Sequence, residues 1–250
     1  MARPTPDTKE AVPDAFDAAA RGYDLLVGAN PGYHDHLRLS ALRMGLPNRG
    51  EGLRLLDVGC GTGASTAALL AAAPLATIVG VDGSAGMIAK ARSKDWPRSV
   101  TFVRATLDEL VSDPDGPADG VGRPGSYDGI LAAYLVRNLP DADSGLASLL
   151  SLLRPGAPIA VHDYSVVDSR RARVVWTGVC WTVIIPSGAV VTRDAGLYRY
   201  LWDSVRKFDG ARAFEDRMRR AGFTDLRTHT VPGWQSRIVH TWLGRRPAAT

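Results

Sequence analysis

The chain has 250 residues, 45% of them hydrophobic, and its formal net charge at pH 7 is +4. This length suits one large α/β domain that buries about three quarters of its surface. The basic excess is small and spread along the chain, so we expect no nucleic-acid-binding stripe. The two cysteines, Cys60 and Cys180, do not form a disulfide framework and indicate a reducing compartment, for which we predict the cytoplasm.

The first segments of the chain are predicted to cap a single domain. Residues 1–14 have no apolar core of the signal-peptide kind, and we expect a disordered tail. Residues 15–48 show apolar positions at helical spacing and are predicted to form N-terminal cap helices, the second from His34 to Met44. His34 and His36 are candidates for substrate contact, with a surface position as the alternative. The domain is predicted to extend over 15–250.

Strand-like and helical runs then alternate. Strands are predicted at 54–58, 78–81, 100–103, 127–132 and 159–164, and helices at 65–73, 85–94 and 143–153. Such alternation is typical of an α/β, doubly wound and mostly parallel sheet with helices on both faces. Ligands bind these sheets at the carboxyl ends of the strands. Residues 112–126 are rich in glycine and proline and are predicted to be a loop.

The stretch 164–205 interrupts the alternation after the fifth predicted strand. Its centre, 174–186, is apolar over thirteen residues, a length we judge too short to span a bilayer. Because the aromatic residues Tyr198, Tyr200 and Trp202 follow, we predict a lid over an apolar substrate. The basic run 169–173 leaves a second interpretation open, in which the lid rests on an anionic lipid surface.

A glycine-rich turn is the strongest functional signal. The run Leu55 to Gly63 ends in three glycines, and Asp82 follows nineteen residues after Gly63. Glycines let backbone approach a ligand closely, and an acidic residue at the end of the next strand can accept hydrogen bonds from a ribose diol. Gly59, Gly61 and Ala64 also fit the dinucleotide fingerprint. However, the carboxylate of Asp57 would repel a pyrophosphate and favours a ligand that carries an ammonium group.

The segments 55–63 and 79–84, together with Met87, resemble the first two motifs of class I S-adenosylmethionine-dependent methyltransferases. The resemblance implies a seven-stranded sheet, S-adenosylmethionine as cofactor and S-adenosylhomocysteine as product. The cofactor-binding residues that we predict from this resemblance and from the chemistry of the sulfonium are Tyr23, Asp57, Gly59, Gly61, Gly63, Asp82, Gly83, Ser84, Met87, Thr106, Leu107 and Ala133.

Four further segments, 16–24, 132–141, 152–165 and 198–208, are similar in order and spacing to the ubiquinone/menaquinone C-methyltransferase family. This likeness implies methylation of an apolar or aromatic small molecule, with a prenylated quinol precursor as the family's type of acceptor. The chain departs from the family at Thr106, where an aspartate is usual and for which Asp108 is a substitute. A methyltransferase with a non-quinoid acceptor and a cofactor-binding scaffold without catalysis therefore remain alternatives.

The catalytic and acceptor-binding candidates follow the fourth and fifth strands and lie in the lid. His162 has the better pKa for a general base, and Asp163 matches the family's acidic residue; neighbours on a strand face opposite ways, so one of the two points inward. The remaining candidates are Tyr134 for catalysis and acceptor binding, and Arg137, Asn138, Trp181 and Tyr200 for acceptor binding. No metal site and no nucleic-acid partner are expected. A homodimer is left open.

Overall fold

The computed structural model describes residues 9, 28, 30–113, 120–191 and 195–249. Tyr23, most of the first predicted cap helix and the centre of the predicted 112–126 loop lie outside the described residues. That residues 15–250 form a single domain stays a prediction.

A seven-stranded sheet forms the centre of the fold, with strand order β3-β2-β1-β4-β5-β7-β6. The first five strands are parallel, whereas β7 pairs antiparallel with both β5 and β6. The predicted mostly parallel, doubly wound fold is confirmed. The strands are β1 (Arg54–Val58), β2 (Thr77–Asp82), β3 (Val100–Arg104), β4 (Gly129–Ala133), β5 (Pro158–Tyr164), β6 (Thr224–Thr230) and β7 (Val239–Arg245).

Helices cover both faces of this sheet because the central strands are apolar on both sides. Successive residues of β1, Leu55 and Leu56, enter two different buried clusters, as expected for side chains that alternate across a strand. The helices are α1 (Tyr33–Arg43), α2 (Ala64–Ala72), α3 (Ala85–Arg92), α4 (Leu107–Ser112), α5 (Ala142–Leu152), α6 (Arg170–Val191), α7 (Ala195–Lys207) and α8 (Ala211–Arg220).

Helix α4 and the hairpin of β6 and β7 are among the elements that the sequence does not predict. Helix α4 is only six residues long, too short for a periodic pattern, and it is started by a capping box between Thr106 and Glu109. The hairpin of β6 and β7 lies at the sheet edge, where β6 is exposed at alternate positions and shows no apolar run. Both lie in segments where local sequence signals are weak.

The predicted lid is a helical pair, α6 and α7. Helix α6 is continuous over Arg170–Val191, with a π-helical segment at Cys180–Ile184. The expectation that this stretch is too short to span a bilayer is wrong by length and composition, because the helix extends beyond the apolar run to 22 residues and contains an 18-residue window with mean hydropathy 1.8. Only 22% of its apolar window is buried.

The two lid helices approach each other closely at Gly188. A Cβ built on Gly188 would stand 2.1 Å from the Tyr198 ring, whereas a Cβ on Gly178 of the same helix would meet nothing within 4 Å. Gly188→Ala should therefore lower the free energy of unfolding by about 1 to 3 kcal/mol through overpacking. Gly178→Ala, the matched control, should raise it by about 0.5 to 1 kcal/mol through helix propensity. Urea denaturation measures both, and equal effects would contradict the packing account.

Candidate active site

A cavity of about 660 Å³ opens at the carboxyl ends of β1, β2 and β4, beneath the lid. This is where parallel α/β sheets bind ligands. The structure brings most of the predicted site residues to its wall, and the lid contributes Trp176, Ile184 and Leu197. The predicted residues that line the cavity are Gly59, Gly61, Asp82, Gly83, Met87, Thr106, Leu107, Ala133, Tyr134, Arg137, Asn138 and Tyr200.

The glycine turn exposes backbone to this cavity. Gly59, Gly61 and Gly63 have φ values of 74°, 53° and 94°, a region that favours glycine. A Cβ on Gly61 would project into open space, whereas one on Gly63 would stand 2.7 Å from the Trp96 ring. Gly61 thus leaves room for a ligand. Gly63 does not line the cavity, and it allows Trp96 to pack closely.

Asp82 lies at the end of β2 and presents its carboxylate to the cavity. Its oxygens accept backbone hydrogen bonds from Gly61 N and Ser84 N, each at 2.9 Å. Desolvation raises the pKa of this carboxyl, and the two hydrogen bonds oppose the shift. Because each carboxylate oxygen has a further lone pair, the side chain can accept two ligand hydroxyl protons. Ser84 itself does not line the cavity and caps α3 through Met87 N.

Asp57 lies fully buried beneath the turn and not on the cavity wall. Its Oδ2 accepts hydrogen bonds from the Ser65 and Thr66 hydroxyls at 2.8 and 2.6 Å. Its Oδ1 has no hydrogen-bond partner among the described residues. Burial raises the pKa of Asp57 to about 7. Since Ser65 does line the cavity, its hydroxyl connects the Asp57 carboxyl to the cavity wall.

The raised pKa of Asp57 gives a pH-dependent stability with a defined sign. The folded protein keeps the Asp57 proton up to about pH 7, whereas the carboxyl of the unfolded chain, with its usual pKa of 3.8, loses it near pH 4. Stability from this group is therefore lost as pH rises towards 7. Between pH 5 and 8, wild type should lose about 3 kcal/mol of unfolding free energy relative to Asp57→Asn. Urea denaturation across this range tests it, and parallel curves for the two proteins would contradict it.

The cavity end near β3 is formed by the start of α4. Thr106 caps this helix, because its hydroxyl accepts from Glu109 N, and Leu107 is buried beside it. The chain has no carboxylate at position 106, but Asp108 also lines the cavity. This end therefore offers an apolar surface with one acidic side chain beside it.

A column of aromatic rings forms the opposite wall. Tyr33 stacks on Tyr134 with ring centroids 5.7 Å apart, Tyr134 contacts Tyr164 at 4.8 Å, and Tyr164 contacts Trp176 at 4.8 Å. All four line the cavity. Tyr134 has φ 56°, a strained value for a bulky residue, which aims its ring into this column.

Arg137 and Asn138 follow β4 on a short 3-10 turn, Val136–Asn138. Arg137 Nη1 lies 3.4 Å from Asp163 Oδ1, and both side chains are buried. Asn138 accepts from the Tyr200 hydroxyl at 3.2 Å and donates to the Tyr134 carbonyl at 2.9 Å. Arg137, Asn138 and Tyr200 line the cavity, whereas Asp163 lies behind Arg137. Desolvation raises the pKa of the Asp163 carboxyl, and Arg137 opposes that shift.

His162 does not reach the cavity, because its ring is enclosed by polar groups behind Tyr134. Ser40 Oγ donates to the His36 carbonyl at 3.1 Å and lies 2.8 Å from His162 Nδ1. Ser40 Oγ also lies 2.6 Å from Thr241 Oγ1, and His162 Nε2 lies 3.0 Å from the Tyr134 hydroxyl, so both ring nitrogens have a hydrogen-bond partner. Burial lowers the pKa of His162 to about 3, so the ring is neutral at physiological pH.

Trp181 also lies away from the cavity. It is 48% exposed and packs against Trp202 with ring centroids 5.5 Å apart. Trp176, five residues earlier, faces the cavity instead, because five residues turn a helix by about 140° beyond one full revolution. The apolar run shows no clear helical stripe, so the sequence does not distinguish the inward tryptophan from the outward one.

Other residues that line the cavity were not predicted as site residues from the sequence. Asn30 Oδ1 accepts from Gln235 Nε2 at 2.8 Å, and both residues line the cavity with Trp234. These side chains come from turns before α1 and between β6 and β7, where no periodic pattern marks them. His36 is buried and does not line the cavity, and His34 is exposed. No three His, Cys, Asp or Glu side chains within the described ranges are placed to hold a metal ion.

Comparison with known proteins identifies the family. The model of the ubiE/COQ5 methyltransferase family matches residues 5–239. The chain belongs to this family. It is 32% identical over 240 residues to the ubiquinone/menaquinone biosynthesis C-methyltransferase UbiE of Bradyrhizobium diazoefficiens, covering 92% of this chain and 90% of the relative. The UbiE protein of Rhizobium leguminosarum is 29% identical over 249 residues, covering 96% and 91%.

Solved structures show the same fold at low sequence identity. A methyltransferase from Thermotoga maritima, described as a possible histamine N-methyltransferase, superposes with TM-score 0.60 at 18% identity, covering 94% of this chain and 99% of that one. The cyclase SpnF superposes with TM-score 0.62 at 18% identity over the full length of both chains. One fold thus carries more than one chemistry.

The family members use S-adenosylmethionine, and the residues of this cavity fit that cofactor. Gly61 leaves open space where a Cβ would stand, and Asp82 offers two acceptor oxygens to a ribose. The buried Asp57 carboxyl has an oxygen with no partner in the described part of the chain, near the glycine turn. The chain is therefore an S-adenosylmethionine-dependent methyltransferase.

Proposed function

We propose that this enzyme C-methylates an apolar aromatic small molecule, and that its acceptor is a prenylated quinol precursor. One observation carries the proposal: the aromatic column of Tyr33, Tyr134, Tyr164 and Trp176 shares one cavity with the glycine turn. Flat aromatic acceptors pack well against such rings. The names of the UbiE relatives support the quinol class.

The residues around the glycine turn are proposed to hold the cofactor, which supplies an electrophilic methyl group on a sulfonium. Asp82 would accept from the ribose hydroxyls, and backbone at Gly59 and Gly61 would contact the methionine part. Asp57 would act through Ser65 on the ammonium end. Met87, with Gly83 and Ser84, would flank the adenosine, and Thr106 and Leu107 would lie against adenine. Tyr23 stays a proposed cofactor contact, and it lies outside the described part of the chain.

The acceptor side is proposed to work by alignment. Tyr134 forms the wall next to Ala133, and Arg137 and Asn138 offer hydrogen-bond donors at the same end of the cavity. Holding two reactants in line can contribute on the order of 7 to 11 kcal/mol to the lowering of a barrier. Aromatic faces beside a dispersing positive charge add about 0.5 to 2 kcal/mol.

His162 is proposed to position Tyr134. The proton that the methylated ring carbon loses would pass to solvent and not to His162. A histidine with a pKa near 3 is a poor proton acceptor at neutral pH. Its Nε2 instead fixes the Tyr134 hydroxyl at 3.0 Å, which holds the strained residue in the aromatic column. Asp163 is proposed to orient Arg137 through the buried ion pair.

A second candidate function is methylation of a non-quinoid phenol or carboxylate. The polar pair of Asn30 and Gln235 on the cavity wall favours it, because these amides could bind a carboxylate, a group that a prenylated quinol lacks. The two candidates share the cofactor and differ only in what fills the rest of the cavity.

Incubation with methyl-labelled cofactor and a panel of acceptors separates the two. We expect label on a ring carbon of a prenylated quinol and little or none on simple phenols and carboxylates. Turnover restricted to non-quinoid acceptors would favour the second candidate. Tight cofactor binding without transfer to any acceptor, including those in a cell extract, would favour a scaffold without catalysis.

A further inference from the structure

Helix α6 has an outer face that the rest of the described structure leaves uncovered. Its large apolar side chains there are Val174, Trp181, Val183, Val190 and Val191, and we call these five residues the outer face. Val174 and Val190 are 71% and 79% exposed. From residue 174 to 191 the helix carries no charged residue at all. Contiguous apolar exposure of this kind marks a surface that contacts a partner.

The charges at the start of α6 indicate the chemistry of that partner. Arg170, Arg171 and Arg173 are exposed in the first turns, where no acidic residue accompanies them. Cations at a helix N-terminus are unfavourable for the helix, because the macrodipole is positive there. Helix stability therefore does not explain these arginines. An anionic surface next to an apolar face would compensate them.

One further basic residue lies on the neighbouring helix. Arg206 of α7 stands 4.5 Å over the Trp202 ring, and Trp202 contacts Trp181 of the outer face. Indole rings beside guanidinium groups are typical of the boundary between lipid headgroups and acyl chains. Arg206 thus adds a basic group near Trp181, in addition to the arginines at the start of α6.

The opposite side of α6 keeps the helix on the domain. Trp176 and Cys180 are buried, and the Trp176 indole donates to the Trp202 carbonyl at 3.4 Å. A helix that crossed a bilayer would lose these contacts with the domain. A helix that lies flat at the bilayer surface keeps them. Val183 both belongs to the outer face and lines the cavity, so the cavity opens next to this surface.

We propose that the outer face of α6, with the arginines that precede it, docks the protein onto the surface of an anionic phospholipid bilayer. Apolar side chains enter the headgroup region, and Arg170, Arg171 and Arg173 contact lipid phosphates. Docking rests on the proposed function only in one respect: a prenylated acceptor would enter the cavity directly from the lipid beside Val183.

Flotation of the full chain with lipid vesicles tests this docking in the absence of cofactor and acceptor, so a failure leaves the proposed function untouched. We expect binding to vesicles of phosphatidylcholine with phosphatidylglycerol, little binding to phosphatidylcholine alone, and weaker binding at high salt. Val174→Glu with Val190→Glu should weaken binding at least about tenfold. The matched control, Leu42→Glu with Leu75→Glu, places the same charges at two leucines outside the lid, each 53% exposed, and should bind as wild type.

The arginines provide a second, independent variant. Arg170→Gln with Arg171→Gln and Arg173→Gln should lose about fivefold in affinity for each residue replaced, and only on anionic vesicles. Equal binding by wild type and by the outer-face variant, or no binding to anionic vesicles at low salt, would overturn the proposal. It would also be overturned if light scattering showed a dimer that the Val174→Glu, Val190→Glu variant dissociates, because a second copy would then cover this face.

Discussion

Replacement of Asp163 by alanine is expected to lower the free energy of unfolding by about 3 to 5 kcal/mol. The side chain is fully buried, and it is the ion-pair partner of Arg137, whose side chain is 4% exposed. The variant therefore leaves the Arg137 guanidinium as an uncompensated buried charge. Arg137 Nε already has no hydrogen-bond partner among the described residues, so the loss of Asp163 removes the main compensation for that charge.

Urea denaturation measures the free energy of unfolding of wild type, of Asp163→Ala and of a double variant. The double variant Asp163→Leu with Arg137→Met should recover most of the lost stability, because replacing a buried pair by apolar side chains is often neutral. It should not recover activity, since Arg137 lines the cavity. A single variant that loses less than about 1 kcal/mol would show that the pair contributes as little as an exposed one.

Replacement of Asp82 by alanine should weaken binding of S-adenosylhomocysteine by about 1 to 3 kcal/mol, or roughly five- to 150-fold. The carboxylate is proposed to accept the ribose hydroxyl protons, and it also fixes the glycine turn through Gly61 N and Ser84 N. Calorimetric titration measures the affinity. Asp95→Ala, an exposed aspartate that does not line the cavity, serves as the control and should bind as wild type.

Thermal denaturation of the Asp82 variant is needed beside the titration. If its midpoint falls only slightly while affinity falls strongly, the carboxylate acts on the ligand. Unchanged affinity in a folded variant would remove Asp82 from the cofactor site, and the ribose would have to bind elsewhere in the cavity.

Sequence patterns predict the sheet and the glycine turn because both depend on local rules. The run from Leu55 to Val58 is buried on both faces, and the three glycines with positive φ follow it directly. The carboxyl-end position of the cavity then follows from the parallel α/β architecture. Asp82 reaches the cavity for the same reason, since it ends the neighbouring strand.

The acceptor side depends on packing between distant segments, which patterns do not describe. Tyr33 and Trp176 meet Tyr134 and Tyr164 in one column although they lie far apart in sequence. His162 was a candidate base by its position and usual pKa, yet Ser40, Thr241 and Tyr134 surround it and burial keeps its ring neutral. Which tryptophan of α6 turns inward depends on how the helix packs against α7, which is a tertiary feature.

A crystal structure with S-adenosylhomocysteine bound tests the central claim most directly, namely that one cavity holds the cofactor at the glycine turn and the acceptor at the aromatic column. We predict ribose hydroxyls within hydrogen-bond distance of the Asp82 carboxylate. We also predict that the sulfur faces Tyr134, with free volume beyond it lined by Tyr164 and Trp176. Cofactor density outside this cavity, or a sulfur directed away from the aromatic column, would contradict the account.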